Sequence, residues 1–365
     1  MKNSTEKALF KLLNIAQTGA NSYCLPQDID WDELLDLASK QGVAAIALDG
    51  LQQMLEADEN NIMKKDIHAK RFLYNMIGLS VSIENTCKSQ YAAAKKLSEL
   101  WAENDIRTLV LKGMAFGSYY PNPYHRPCVD MDCYLCGKYE EGNGVIERLG
   151  IEVSREDYRH STFFFQNLHV ENHKICTTVR GRKQRKVFEN YLRHLLEGES
   201  STLIHNSRLE IPSPMFNALY FLQHAHRHFL REGITLRHIC DWAMIVDKCA
   251  SKIDWQEFEV ITKQNDIYLF AKSISRLAAT VCGVKCCDIV SDFNLLPQDR
   301  MLLNDCYAIA DNSIKYGNNF KAHYQMVKNM IKGHWKFKYF SRRSVFMEII
   351  TSVYGVFFEK KPDVD

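Results

Sequence analysis

The strongest constraint on the fold is a change of hydrophobic pattern near residue 105. Upstream of it, over residues 6–103, apolar residues recur at helical spacing. Residues 106–111 then form a short, β-branched and apolar run that stops at Lys112-Gly113, which is typical of a buried strand followed by a tight turn. Further strands are predicted over residues 129–135, 151–154, 161–165 and 169–178. We therefore expect an α+β fold with helical regions on both sides of a sheet core.

These patterns divide the chain into three predicted domains. Residues 1–104 form an N-terminal helical region, and its last part, residues 77–104, predicts one long helix. Residues 105–205 form the α+β core, and residues 206–365 return to helical periodicity as a C-terminal helical region. A chain of 365 residues is long enough for two or three such units.

Composition and charge narrow the class of protein. Hydrophobic residues make up 46% and charged residues 25%, which are globular values and exclude disordered and fibrous chains. The net charge of +2 is too near neutral for a polycation, so any affinity for phosphate must come from local clusters. The N-terminus carries no export signal, and the most apolar segment, residues 345–358, is too short to span a bilayer. We expect a cytoplasmic protein with no membrane partner.

Asp130-Met131-Asp132 is the first candidate for a functional site. Residues two apart on a strand point to the same face, about 6.6 Å apart along the chain, so both carboxylates face one site. Clustered carboxylates repel each other unless a cation lies between them, and hard oxygen ligands favour Mg²⁺ or Mn²⁺. The alternative for a lone motif of this kind is a solvated strand edge or turn.

A second predicted strand offers a third carboxylate. Alternation over this strand places His169, Glu171 and His173 on one face. If the strand lies beside the first, three carboxylates converge, and such a set can hold two divalent ions that neutralise charge on a phosphoryl group. Periodicity alone equally allows a structural strand with a polar outer face.

Residues 111–127 supply candidate phosphate ligands. A strand, a glycine turn and a helix start at Lys112-Gly113 would direct backbone N–H groups at a phosphate, and Lys112 would add a point charge. Three of the eight prolines stiffen residues 120–127, which present Arg126 just before the carboxylates. Arginine suits bidentate phosphate contacts, although a loop arginine is more often merely solvated.

Taken together, these motifs resemble the signature of an uncharacterised bacterial nucleotidyltransferase family. That family belongs to the polymerase-β-like superfamily and is similar to abortive-infection nucleotidyltransferases. The resemblance covers roughly residues 109–242. The motifs that carry it are Leu111-Lys112-Gly113, Tyr120-Pro121, Arg126-Pro127, Asp130-Met131-Asp132, Val170-Glu171-Asn172-His173 and a helical motif from Gly233 to Trp242.

The resemblance implies a nucleotidyltransferase-like mixed sheet and an enzyme that depends on Mg²⁺ or Mn²⁺. It would transfer a nucleoside monophosphate from an NTP to an acceptor hydroxyl on a small molecule, a protein or an RNA end, and release pyrophosphate. Asp130 and Asp132 would bind both metal ions, and Glu171 would bind the ion that activates the acceptor. The residues that would contact the nucleotide are Lys112, Gly113, Ser118, Arg126 and His173.

Two registers of the glycine turn remain open. The superfamily often has Gly-Gly or Gly-Ser at this turn, whereas Met114 follows Gly113 in this chain. A hydroxyl contact to phosphate would then have to come from Ser118. Gly117-Ser118 also lies closer to Asp130 in the chain and is the alternative phosphate turn.

A pair of histidines indicates a second wall for the same cleft. His224 and His228 have the spacing of a zincin pair, but Ala225 replaces the catalytic glutamate, so we interpret them as a basic helix face. This face would line the nucleotide cleft with Arg237 and Asp241, for which packing between helices is an equal alternative.

Two stretches are locally basic. Residues 180–186 follow the strand that carries Glu171 and would reach the acceptor or the triphosphate. From Lys315 to Arg343 the chain has eight Lys or Arg, no acidic residue and seven aromatic residues, a composition expected of an RNA contact surface. The alternative for that stretch is a helical face whose aromatic residues form core and whose lysines extend into water.

Two other functions remain open beside the enzyme. One is an inactive module of the same fold that binds a nucleotide or RNA, which the methionine at the glycine turn favours. The other is an RNA-modifying toxin of a toxin–antitoxin pair.

Overall fold

The fold combines one six-stranded mixed sheet with a larger number of α-helices. The computed structural model describes residues 4–20, 25–26, 28–57, 67–177, 182–198, 202–204, 207–309 and 320–350. The strands are β1 (Thr108–Val110), β2 (Asp130–Tyr134), β3 (His160–Phe165), β4 (Leu168–His173), β5 (Thr202–Leu203) and β6 (Leu209–Ile211). This arrangement confirms the α+β class.

The helices lie mostly before and after the sheet in the sequence. The first seven are α1 (Ser4–Thr18), α2 (Trp31–Lys40), α3 (Ala44–Ala57), α4 (Ile67–Ala102), α5 (Met114–Gly117), α6 (Tyr139–Arg148) and α7 (Arg182–Glu197). The next seven are α8 (Pro214–Arg231), α9 (Leu236–Cys249), α10 (Trp255–Gln264), α11 (Tyr268–Cys282), α12 (Pro297–Ile309), α13 (Phe320–Lys332) and α14 (His334–Phe340). The predicted long helix is confirmed as α4, which begins earlier than the prediction, at Ile67.

The order of strands in the sheet is β3-β4-β2-β1-β6-β5. At its centre β2 runs parallel to β4 and antiparallel to β1, and β3 and β4 form an antiparallel hairpin. In the parallel pair, Asp130 lies opposite His169 and Asp132 lies opposite Glu171. Because side chains alternate along each strand, this register places Asp130 and Asp132 of β2 and His169, Glu171 and His173 of β4 on one face.

One predicted strand is wrong. Residues 151–154 form a single bridge between Ser154 and Thr162 and no extended ladder. Ile151 and Val153 pack against the hydrophobic cluster under the sheet, so their apolar side chains are accommodated without strand pairing. The short strands β5 and β6 were not predicted, because two or three residues are too few to show a period.

Two hydrophobic clusters support the sheet and the helices. The smaller one packs the end of α4 against the sheet, through residues such as Trp101, Met131 and Val170. The larger one joins helices from both ends of the chain and includes Leu12 and Phe270. The predicted boundaries between the three domains stay a prediction.

No helix among the described residues combines the length and the apolar character that a bilayer crossing requires. The apolar segment noted near the C-terminus lies outside the described residues from position 351 onward.

Candidate active site

The sheet brings all three predicted carboxylates to one face. Asp130 and Asp132 are two residues apart on β2, and Glu171 lies beside Asp132 on the neighbouring β4. Met131 and Val170, which alternate with them, are fully buried in the cluster on the opposite face. Glu171 keeps 21% of its side chain exposed, so it is not sealed in apolar packing. The three carboxylates therefore line a shared cavity of about 200 Å³.

Asp132 is fully buried and contacts two cations through one oxygen. Its Oδ1 accepts from Lys112 Nζ at 3.1 Å and from His173 Nε2 at 2.9 Å. Its Oδ2 is also buried and has no hydrogen-bond partner among the described residues. A buried carboxylate oxygen without a partner is costly, so this atom is a natural position for a further cation.

The surroundings of His173 favour its doubly protonated form. Its Nε2 faces the Asp132 carboxylate, and its Nδ1 lies 3.3 Å from the carbonyl oxygen of Ile175, so both nitrogens face acceptors. Burial by itself would lower the pKa of His173, but the hydrogen bonds to Asp132 and Glu171 outweigh it and raise the pKa to about 9. His173, which the sequence predicts as a contact to the nucleotide, thus forms its hydrogen bonds and ion pairs with Asp132 and Glu171.

Glu171 is ionised by its neighbours. Its Oε2 lies 3.5 Å from His173 Nε2 and 3.9 Å from His160 Nε2. Burial would raise the pKa of Glu171, but the hydrogen bond with His173 and the charge of Lys112 lower it to about 2. The carboxylate is therefore available as a charged ligand at neutral pH.

Two groups of side chains fit a metal ion, because the ligand atoms within each group lie within 4.8 Å of one another. The groups are Asp130, His169 and Glu171, and His160, Glu171 and His173. Carboxylate oxygens suit Mg²⁺ and Mn²⁺, and Asp132, with its unpartnered Oδ2, lines the same cavity. The donor set of this cavity therefore fits a hard divalent cation.

Gly113 forms the turn between β1 and α5. Its φ is +62°, a conformation that residues with side chains rarely adopt. A Cβ at this position would lie 2.9 Å from Cys128 Sγ and 3.0 Å from the backbone oxygen of Asp130. The turn thus needs glycine both for its backbone conformation and for its close approach to β2. Gly117 ends the short helix that follows, so the turn occurs at Gly113.

We expect Gly113→Ala to lower the free energy of unfolding by roughly 2–5 kcal/mol, because the methyl group adds overpacking to backbone strain. Gly137→Ala is the matched control, since Gly137 has a φ of +85° but nothing within 4 Å of an added Cβ. It should lose only about 1–2 kcal/mol, from strain alone. Urea unfolding of both variants measures the difference, and equal losses would contradict the close approach.

Helix α8 forms the wall opposite the carboxylates. Its residues in the cavity lining recur at intervals of one, three and four between positions 220 and 228, so they occupy one helical face. These residues are Tyr220, Gln223, His224, Arg227 and His228. The predicted histidine face is thus brought to the cavity, whereas Arg237 and Asp241 do not line it.

Three of the arginine and histidine residues in the lining were not singled out by the sequence prediction. They are Arg159, His160 and Arg227. Only Arg227 had a signal in the sequence, since it lies three residues after His224 and so falls on the same helical face.

Lys112 connects the two walls. Besides its ion pair with Asp132, its Nζ lies 3.2 Å from His224 Nε2, which in turn lies 3.2 Å from His228 Nε2. Burial lowers the pKa of His224 well below its usual value, and the charge of Lys112 adds to the effect. A neutral His224 can accept a hydrogen bond from the ammonium group of Lys112.

Arg126 and Ser118 are not brought to this cavity. Arg126 is buried elsewhere, and its Nε and Nη2 donate to the two oxygens of Asp241 at 3.1 Å and 2.7 Å. Tyr120 donates to the same carboxylate at 2.9 Å. Ser118 donates to the carbonyl oxygen of Ala115 at 2.5 Å. The expected phosphate contact of Arg126 is therefore replaced by an ion pair, because a buried guanidinium needs a carboxylate partner.

The structure describes only part of the two basic stretches, and their predicted contact with RNA stays a prediction. The side chains of residues 180–185 lie outside the description, as do residues 315–319. Further along the second stretch, Phe337 and Phe340 are buried, and the ammonium of Lys336 pairs with an aspartate at 2.6 Å. The expected RNA contact thus gains no support from the packing.

Comparison with known protein families relates most of the chain to one of them. The model of a family described as an uncharacterised nucleotidyltransferase matches residues 27–283, which is more than half of the chain. The matched span includes the whole sheet and helices α8 and α9. No curated protein and no solved structure matches the chain significantly.

Proposed function

The chain belongs to the uncharacterised nucleotidyltransferase family, and on this premise we propose that it transfers a nucleoside monophosphate from an NTP to an acceptor hydroxyl. The acceptor hydroxyl loses its proton to water, its oxygen forms a bond to the α-phosphorus, the bond from that phosphorus to the bridging oxygen breaks, and pyrophosphate leaves. The observation that carries the proposal is the convergence of Asp130, Asp132 and Glu171 on one sheet face, opposite a basic helix wall.

The three carboxylates are the proposed metal ligands. Mg²⁺ held by Asp130, Asp132 and Glu171 would neutralise charge on the phosphoryl group and favour ionisation of the acceptor hydroxyl. Two observations support the fit of these carboxylates to Mg²⁺. The Oδ2 of Asp132 is buried and has no partner among the described residues, and the carboxylates of Asp130 and Glu171 lie close together. His169 is a further candidate ligand beside them.

The other residues of the site balance the charge of the carboxylates and position the phosphates. Lys112 and His173 offset the buried charge of Asp132 through their hydrogen bonds to its Oδ1. Lys112 is also the proposed contact to the phosphates, with the backbone of Gly113 beside it. Positioning and charge stabilisation of this kind supply most of the rate in phosphoryl transfer, where the protein forms few covalent bonds.

The test is to incubate the pure full-length protein with each α-labelled NTP, Mg²⁺ and one class of acceptor at a time. The acceptors are total cellular RNA, total protein and a small-molecule extract. Transfer of label to any of them supports the enzyme. Binding of NTP without transfer to any acceptor would instead support an inactive nucleotide-binding module.

We expect transfer to require a divalent ion, because the three carboxylates repel a triphosphate in its absence. EDTA should reduce the transfer of label to background, and an excess of Mg²⁺ or Mn²⁺ should restore it. The control is the same concentration of EDTA already saturated with Ca²⁺, which adds the chelator without removing Mg²⁺ and should leave transfer unchanged. Transfer that continues at full rate in EDTA would contradict metal dependence.

A further inference from the structure

The cavity has three lysine or arginine residues in its lining, and they differ in their partners. Lys112 is paired with Asp132 at 3.1 Å. Arg159 is paired with Asp157, to which its Nε donates at 2.8 Å. The third, Arg227, has no ion pair with any described residue.

The surroundings of Arg227 are unfavourable for its charge. Its one hydrogen bond within the described chain joins Nη2 to His228 Nε2, at 3.5 Å. Burial lowers the pKa of Arg227 to about 10, and the positive charges of Arg159 and Arg231 contribute to the shift. Glu232, the acidic residue just after the same helix, is paired with His228 at 2.8 Å. An anion bound in the cavity would offset the cost of holding the guanidinium there.

The position of Arg227 indicates which anion fits. It lies on the α8 face opposite the carboxylates, so a ligand in the cavity meets acidic groups on one side and this cation on the other. A triphosphate matches both walls, since a divalent ion held by the carboxylates would attract it and a guanidinium can donate two parallel hydrogen bonds to a phosphate. A neutral sugar or base would leave the charge of Arg227 without a partner.

We propose that Arg227 is a ligand of the β- and γ-phosphates of the NTP, a role that rests on the proposed nucleotidyl transfer for the identity of the ligand. Arg159, already neutralised by Asp157, shapes the edge of the same subsite. The phosphates therefore lie between α8 and the sheet, with Lys112 at their other end.

The probe for this subsite is inorganic tripolyphosphate with an excess of Mg²⁺, and its binding is measured by titration calorimetry. Arg227→Gln should weaken binding roughly tenfold to a hundredfold, the value of a charged hydrogen-bonded contact. Arg231→Gln is the matched control, because it removes the same charge from the same helix. Arg231 pairs with Glu348 at 3.0 Å and does not line the cavity, so binding should stay within about twofold of wild type.

Several results would overturn the proposal. They are equal affinities of wild type and Arg227→Gln, equal losses in Arg227→Gln and Arg231→Gln, and no binding by the wild type. An Arg227→Gln variant that loses an RNA oligonucleotide but binds tripolyphosphate normally would also overturn it. If Arg227→Gln does not fold, Arg227→Lys is tested in its place. It keeps the positive charge but loses the bidentate geometry, so it should bind tripolyphosphate more weakly than wild type.

The same experiment separates this proposal from the proposed reaction. Binding of tripolyphosphate does not require transfer. A wild-type protein that binds it through Arg227 but labels no acceptor would contradict the transfer reaction and support the anion subsite. An Arg227→Gln variant that labels an acceptor at the wild-type rate and binds tripolyphosphate with unchanged affinity would support the transfer reaction and contradict the anion subsite.

Discussion

Asp130→Asn should reduce nucleotidyl transfer at least about a thousandfold, the loss expected when a charged ligand is removed from a phosphoryl-transfer site. Protein stability should not change. Asp130 is half-buried, and its carboxylate makes no hydrogen bond or ion pair with the described residues, so an amide of the same shape leaves no partner behind. Initial rates of label transfer and the thermal unfolding temperature measure the two effects.

Two companion variants make this test specific. Asp132→Asn should also lose transfer, but it should unfold at a lower temperature, because it leaves Lys112 and His173 without their buried carboxylate. Asp36→Asn is the control, since Asp36 forms an exposed ion pair within α2. It should change neither property. Full transfer by both Asp130→Asn and Asp132→Asn would remove the two-metal mechanism.

Asp241→Ala should lower the free energy of unfolding by about 3–5 kcal/mol, the cost of leaving a buried cation without its partner. Arg126 donates to both oxygens of this carboxylate, and Tyr120 donates to one of them. Arg237 lies near enough to interact electrostatically with the same pair, so the variant leaves two buried arginines in mutual repulsion. Urea unfolding gives the change in free energy.

The matched control for this prediction removes the whole pair. Arg126→Met combined with Asp241→Leu should recover a large part of the loss, because apolar residues of similar volume can replace a buried ion pair at little cost. Transfer by this double variant, measured well below its unfolding temperature, should stay near wild type if Arg126 contacts no phosphate. A stability loss in the double variant equal to that of Asp241→Ala would show that the ion pair is not the cause.

Local sequence patterns were sufficient to predict which way the carboxylates point, but not which strands and side chains surround them. Alternation predicted that Asp130 and Asp132 share a face, and the same rule gave Glu171 its orientation. Whether β4 lies beside β2 depends on contacts between residues about forty positions apart, which no local pattern contains. That adjacency was expected from the family resemblance alone.

The partners of the arginines were harder to predict. Arg126 and Asp241 are 115 positions apart, and the sequence between them gives no indication that the two meet. The loop arginine therefore looked like a phosphate ligand, since Asp130 and Asp132 follow it closely in the chain. Arg227 was overlooked because its proposed role depends on having no acidic partner among the described residues, which only the three-dimensional arrangement reveals.

The larger hydrophobic cluster has a consequence for the order of folding. Helix α1 contacts α11, and Tyr307 donates to Glu6 at 2.6 Å, so the first helix is completed by segments from the far end of the chain. During synthesis this surface of α1 has no partner until α11 has been made. Contacts of such long range slow folding and expose apolar surface to other molecules. Nascent chains that end before α11 therefore expose an apolar surface of α1 that the complete fold covers.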